Sequence, residues 1–303
     1  VRKGSRASGR VTAGPRNSNI QEEGFMRAVF TLIPAESRRL IAKAVARMDE
    51  VRAAMENAYV VINGGTTNGY VVQELLGMSG LEPQKYTAGT NSHRLLCVTD
   101  ADRRTPFPIV LHKGQVVGKS LPEVLKDFHR DTVLIKGANA VDPEGNVGVI
   151  AAGFDGGTMG ATLGTVVSQG LRYVVPVGLE KLVPSVREAA AWTGAKTFDY
   201  SMGAEFGIFP VPNALVVTEI QALKILAGVE ARHVASGGVG ESAGAVVLVV
   251  QGPEEGVRTA IAQVESIKGE PVLQGFKGTC ERCPYACTFA GKGRDALPAW
   301  LLD

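Results

Sequence analysis

Short apolar runs that stop at glycine-bearing polar turns constrain this chain more than any other feature. Ala58 to Ile62 (AYVVI) runs into Asn63-Gly64-Gly65-Thr66-Thr67-Asn68, Thr132 to Ile135 (TVLI) into Lys136-Gly137-Ala138-Asn139, and Arg172 to Val177 (RYVVPV) into Gly178-Leu179-Glu180-Lys181. Runs this short, rich in β-branched residues and closed by turn formers, are the pattern of buried strands. A helical pattern comes after the first turn, from Thr66 to Leu76, and another after Asp155-Gly156-Gly157-Thr158, from Met159 to Gln169. Strands alternating with helices predict an α/β fold built on an open, largely parallel Rossmann-like sheet, in which ligands sit beyond the carboxyl ends of the strands. The turns GGTTNG, KGANAVD, GGTMG and GLEKL are therefore expected on one rim.

The residue types in these turns suit an anion. Backbone amides at a helix N-terminus, helped by Gly64, Gly65, Thr66, Thr67 and Asn68, hold a phosphate or carboxylate, with Gly137, Gly157, Thr158, Glu180 and Lys181 as the expected neighbours on the rim. Glycine is also what a tight turn needs for its own geometry, so the motif taken alone fits a structural turn equally well. Lys136 can polarise a carbonyl or neutralise an enediolate, and Asp142 or Glu144 can act as acid and base, with Asn139 beside them. The competing reading is that Lys136, Asp142 and Asn146 only stabilise the Asp142-Pro143-Glu144-Gly145-Asn146 turn, which carries strong turn chemistry.

Elsewhere, Pro34 to about Asn57 has apolar positions every three or four residues and predicts one amphipathic helix. Ile109 to Leu111 and Val116-Val117 predict a hairpin around Lys113-Gly114. The charged turn Asp100-Ala101-Asp102-Arg103-Arg104 fits a solvated salt-bridged loop better than a site, and His93 stands alone. From Asn213 the order becomes βαββαβ, ending in a strand at Pro271 to Leu273, which is the signature of a small ferredoxin-like α+β lobe. Gly238-Val239-Gly240-Glu241 imitates a dinucleotide fingerprint but lies between two strands, so it is expected to be a hairpin loop. The expected organisation is a tail over 1–25, a Rossmann-like ligand-binding domain over 26–212, the lobe over 213–275 and a cysteine-containing tail over 276–303. Gln21-Glu22-Glu23 ahead of Met26 allows a purine-rich ribosome-binding sequence in the gene, so residues 1–25 are either untranslated in the native protein or a disordered tail.

The 303 residues, 45% hydrophobic and 20% charged, suffice for a sizeable core. The formal charge of +2 owes much to Arg2, Lys3, Arg6, Arg10 and Arg16, and without them the body is slightly acidic, which gives nucleic-acid binding no compositional support. No apolar run approaches the roughly 20 residues needed to cross a bilayer, so no membrane partner is expected and the expected compartment is the cytoplasm. Three of the four cysteines fall at Cys280, Cys283 and Cys287, a CxxCxxxC spacing. In a reducing compartment this suits zinc or an iron–sulfur cluster, provided a fourth ligand exists, for which Cys97 qualifies only if the fold brings it there. A redox pair, or no special role, are the other readings.

Taken together, AYVVINGGTTNGYVVQELL, DTVLIKGANAVDPEGNVG and RYVVPVGLEKLVP resemble the superfamily of ribose-5-phosphate isomerase, glucosamine-6-phosphate deaminase, CoA transferases and the regulatory subunits of initiation factor 2B, over roughly Ala42 to Pro184. The resemblance implies a Rossmann-like domain, with a ferredoxin-like lobe as in the isomerase. Where relatives commonly carry Gly-Ala-Asp, this sequence has Gly137-Ala138-Asn139, and an asparagine cannot serve as a general base. The expectation is an isomerase-like enzyme moving a proton on a small anionic metabolite, phosphorylated or acyl. The alternatives are CoA-transferase-like acyl transfer and a metabolite-sensing module without catalysis. Domains of this kind often assemble, so a homo-oligomer is expected.

Overall fold

The computed structural model describes residues 24–302, so expectations for residues 1–23 lie outside it. In chain order the elements are β1 (Phe25–Leu32), α1 (Pro34–Val45), α2 (Asp49–Asn57), β2 (Tyr59–Ile62), α3 (Thr66–Leu76), β3 (Gly89–Ser92), β4 (Leu95–Val98), β5 (Ile109–His112), β6 (Gln115–Val116) and α4 (Leu121–Val124). Then come β7 (Val133–Ile135), β8 (Ala140–Val141), β9 (Val147–Ala151), α5 (Gly157–Ser168), β10 (Arg172–Pro176), α6 (Val186–Ala191), β11 (Gly207–Pro210) and β12 (Leu215–Val217). The last are α7 (Glu219–Ala227), β13 (Glu230–Gly237), β14 (Ala245–Pro253) and α8 (Glu254–Glu265). The fold is mixed α/β.

Its centre is a six-stranded mixed sheet in the order β12-β10-β7-β2-β5-β6. The pairs β12–β10, β10–β7 and β7–β2 are parallel, and the β5–β6 hairpin continues the sheet antiparallel from β2. The parallel strands are buried on both faces because the pleat sends successive side chains to opposite sides. Val60, Ile62, Val133, Ile135 and Val174 enter one core with α1, α3, α7 and α8, while Val61, Leu134, Tyr173 and Val175 enter a second core against α5, α4 and β9. Apolar material on both sides leaves the strand ends as the place where polar chain can emerge.

Several elements differ from the sequence expectation. The expected helix over Pro34 to Asn57 is two helices: after Val45 the amides of Arg47 and Met48 tighten to Ala44 and Val45, and Met48 turns extended. The break lets α1 pack on α3 and α7 while α2 lies against β2, β5 and β7, and no glycine or proline marks it in the sequence. Val147–Ala151 does not join β7 in the main sheet but forms a separate antiparallel sheet, β11-β9-β8. The four strands expected over 213–275 do not form one sheet: Leu215–Val217 pairs with β10 in the large sheet, and no strand forms at Pro271 to Leu273. The edge of β14 is instead taken by β1, paired in unbroken register from Phe25↔Pro253 to Leu32↔Val246, so the small sheet is β1-β14-β13. The Gly238 to Gly244 segment is the loop between β13 and β14.

The chain beyond α8 is anchored by charge. Arg39 on α1 grips Glu270 through two bonds of 2.9 and 3.0 Å, bonds Glu74 at 2.8 Å and Gln73 at 2.7 Å, and lies over the Tyr70 ring at 4.6 Å. Lys268 meets the buried Glu36 at 2.9 Å nearby. A planar fork engaged on this many sides is not replaceable by an ammonium. Arg39→Ala is expected to cost about 2–4 kcal/mol in urea denaturation and Arg39→Lys most of the same amount, since both lose the bidentate grip on Glu270.

Candidate functional site

Three of the four expected turns meet at the carboxyl ends of β2, β7 and β10. Asn63 leaves β2 with its amide and its Nδ2 both donating to Ile135 O, at 3.0 and 3.1 Å. Asn68, on the first turn of α3, donates Nδ2 to Asn63 O at 2.7 Å and to Ile135 O at 3.4 Å. Both asparagines are fully buried, and among the described residues their Oδ1 atoms have no hydrogen-bond partner. Asn68 Oδ1 faces Gly137, lying 3.6 Å from where a Cβ would stand there. The glycine turn is pinned by Tyr86, whose carbonyl accepts from Gly65 N at 2.6 Å and whose hydroxyl donates to Ile62 O at 2.6 Å. The first-turn amides of Thr66, Thr67 and Asn68 have no partner within the helix, as at any helix start.

Lys136 stands at the end of β7, half-buried, and among the described residues its ammonium reaches only the carbonyls of Gly64 and Gly137, each at 3.4 Å. Burial, and next to it the charge of Lys181, push its pKa down to about 8. Lys181, after β10, donates to Ala138 O at 3.0 Å, and burial lowers its pKa against the attraction of Glu180 and Glu219. Glu180 folds over Gly178, where a Cβ would collide with its Oε2. Its Oε1 lies 3.5 Å from the Arg38 guanidinium of α1. Glu180 Oε2 and Arg38 Nε are both buried without a partner among the described residues, so this pair leaves hydrogen-bonding capacity unused on each side. Glu219, fully buried at the start of α7, accepts from Leu179 N at 2.9 Å. Burial and the neighbouring Glu180 raise its pKa, partly offset by the Ser37 hydroxyl and the Leu179 amide.

The remaining expected residues lie elsewhere. Asp142 is 4% exposed, and its carboxylate accepts from Asn146 N at 2.8 Å, from Asn146 Nδ2 at 3.0 and 3.1 Å and from Val186 N at 3.0 Å. These bonds outweigh burial and hold its pKa below the ordinary carboxylate range. Its lone pairs are thus used in holding the β8–β9 turn and the start of α6. Glu144 is exposed at the tip of that turn. Asn139 is exposed and accepts from Ile150 N at 3.0 Å, tying β8 to β9. Gly157 and Thr158 come after β9, a strand of the smaller sheet, where Gly157 N donates to Asp155 at 2.8 Å and Thr158 O accepts from Thr162. Sequence reasoning passed over Arg38, Asn63 and Glu219: Arg38 looks like the outer face of an amphipathic helix and Glu219 like an ordinary first-turn acid.

The C-terminal cysteines form a second constellation. Residues 266–293 contain no helix or strand, yet the segment is tied to the β3–β4 hairpin and the 201–205 loop. Gly278 N donates to Val98 O at 2.9 Å, Ala204 N to Leu96 O at 2.8 Å, Glu205 N to Ala286 O and Thr288 N to Ser201 O, each at 3.0 Å. Gly203, at φ +110°, allows the close approach, since a Cβ there would stand 2.7 Å from Leu96 O. Cys97, on β4, thereby reaches Cys280, Cys283 and Cys287, and all four are free thiols lining one cavity of about 300 Å³. Burial pushes the Cys97 thiol up to about 11, Lys277 opposes this, and the other three cysteines add to it. Among the described residues no three His, Cys, Asp or Glu side chains are gathered as for a single metal ion.

Burial of Lys136 makes stability depend on pH. Between about pH 8 and the ordinary lysine pKa near 10.4, the folded chain holds Lys136 deprotonated while the unfolded chain binds the proton, so stability rises with pH across that window. Lys136→Met removes both the buried charge and the rise, and is expected to gain about 1–3 kcal/mol at pH 7, read from urea curves taken at pH 7 to 10.5. In the same assay Asp142→Ala is expected to lose about 2–4 kcal/mol and Glu144→Ala less than about 0.5 kcal/mol. Comparison with family models, with curated proteins and with solved structures finds no match to this chain.

Proposed function

We propose that the chain is an enzyme of the kind its glycine turns resemble, a Rossmann-like member of the ribose-5-phosphate isomerase and CoA-transferase superfamily, moving a proton on a small anionic metabolite. The observation that supports this most is Lys136: a half-buried ammonium whose hydrogen bonds among the described residues go to two carbonyls at 3.4 Å, beside the starting turn of α3. A phosphate or carboxylate on the Thr66 to Asn68 amides supplies a counter-charge for Lys136. In this reading Glu180 is the base. It takes a proton from a carbon next to the substrate carbonyl and returns it to the neighbouring atom, while Lys136 and Lys181 stabilise the enediolate between the two steps. The roles first expected of Asp142 and Glu144 pass to Glu180, because Asp142 is occupied and Glu144 lies at an exposed tip.

One observation favours the non-catalytic alternative. The segment that would carry a family carboxylate offers only Asn139 and Asp142, both engaged in holding β8 to its neighbours. Binding and turnover separate the two. Among sugar phosphates and acyl-CoAs, at least one compound is expected to raise the melting temperature and to be turned over. Lys136→Met is expected to weaken that binding about 30-fold or more without loss of folding. Glu180→Gln is expected to keep binding and lose about 10²- to 10⁴-fold in kcat. Binding with no turnover of any stabilising compound overturns the enzyme reading.

A further inference from the structure

We propose that Cys97, Cys280, Cys283 and Cys287 are the four protein ligands of an iron–sulfur cluster seated in the cavity they line. The constellation joins a CxxCxxxC loop to a cysteine 183 positions before its first member, brought there by backbone bonds from the tail to the β3–β4 hairpin. Four thiolates are the ligand set of the common cluster types. Four thiolates also hold zinc, and the spread of the sulfurs favours the cluster. One zinc ion draws its sulfurs to about 2.3 Å. Here the four cysteines share the wall of one cavity with Asp100 to Asp102 and Tyr285, and among the described residues no three of them are gathered as for a single ion, a spacing that suits the corners of a polynuclear core.

The surroundings fit a buried anionic cluster. Gly203 N and Phe289 N donate to Cys287 Sγ at 3.3 and 3.4 Å, and Lys277 Nζ approaches Cys280 Sγ at 3.9 Å. Donors aimed at sulfur stabilise thiolate ligands and set a cluster's potential. Leu95, Phe289, Leu301 and Trp300 pack with Cys97, Cys280 and Cys287 on one side, while Asp100, Asp102, Arg104 and Arg282 also line the cavity.

The 303-residue chain, produced with added iron and purified without oxygen, tests this, as does the metal-free chain reconstituted with ferrous iron and sulfide. Iron and acid-labile sulfide in equal amounts, roughly two to four of each per chain, are expected, with broad visible absorption that bleaches on dithionite. Cys97→Ser, with unchanged circular dichroism, is expected to lose most of the iron and sulfide. One zinc per chain without sulfide overturns the proposal, as does a chain that takes up no iron, or one that contains a Cys280–Cys283 disulfide instead. Wild-type iron and sulfide in Cys97→Ser overturns the four-cysteine ligand set proposed. The content of the wild-type chain decides the matter even where a variant fails to fold, and none of these readouts depends on activity at the rim.

Discussion

The parallel pairing of Val60–Ile62 with Val133–Ile135, and of that strand with Arg172–Val174, is the interaction on which the rest of the molecule depends. Because these strands point the same way, all of them end on one edge. Because both faces are covered by apolar side chains, the chain leaving each strand can be polar only at that edge. Asn63, Lys136 and the Gly178 to Lys181 turn are neighbours for this reason, although they are far apart in the chain. Asn68 reinforces the arrangement by bonding the carbonyls of Asn63 and Ile135, which locks the β2 and β7 ends together.

Charge at this edge is held at a cost to stability. Lys136 and Lys181 share the edge with Glu180 and the fully buried Glu219, and the contacts between them are long or run through backbone. A core designed only for stability would fill this space with apolar groups. The opposite case is seen at Asp142, whose oxygens are saturated by Asn146 and Val186. Equally polar residues thus divide by whether their hydrogen-bonding capacity is already used.

Most of the central architecture was legible in the sequence. The buried strands, the glycine turns closing them and the Lys113-Gly114 hairpin carry local signals of composition and turn chemistry that tertiary contacts did not override. Three of the four turns meet as expected. The fourth, at Gly157 and Thr158, does not, because β9 pairs with β8 and β11, and an apolar run does not specify which sheet it joins. The same ambiguity put Leu215–Val217 in the large sheet and gave the free edge of β14 to β1.

The sequence by itself determined where chain direction changes and which residue types stand at each change, since glycine, proline, asparagine and buried β-branched runs act through short-range sterics. Only the tertiary structure decided what those residues are for. Asp142 and Glu180 have the same chemistry, and nothing local shows that one is tied to a helix start while the other faces Arg38 with an unpartnered oxygen. Cys97 carries no motif and lines one cavity with the other three cysteines because Gly278 bonds Val98 and Gly203 joins Leu96 to Cys287, bringing distant backbones together. Such meetings depend on non-local pairing, whose energy is set by the whole packed sheet rather than by any stretch of chain.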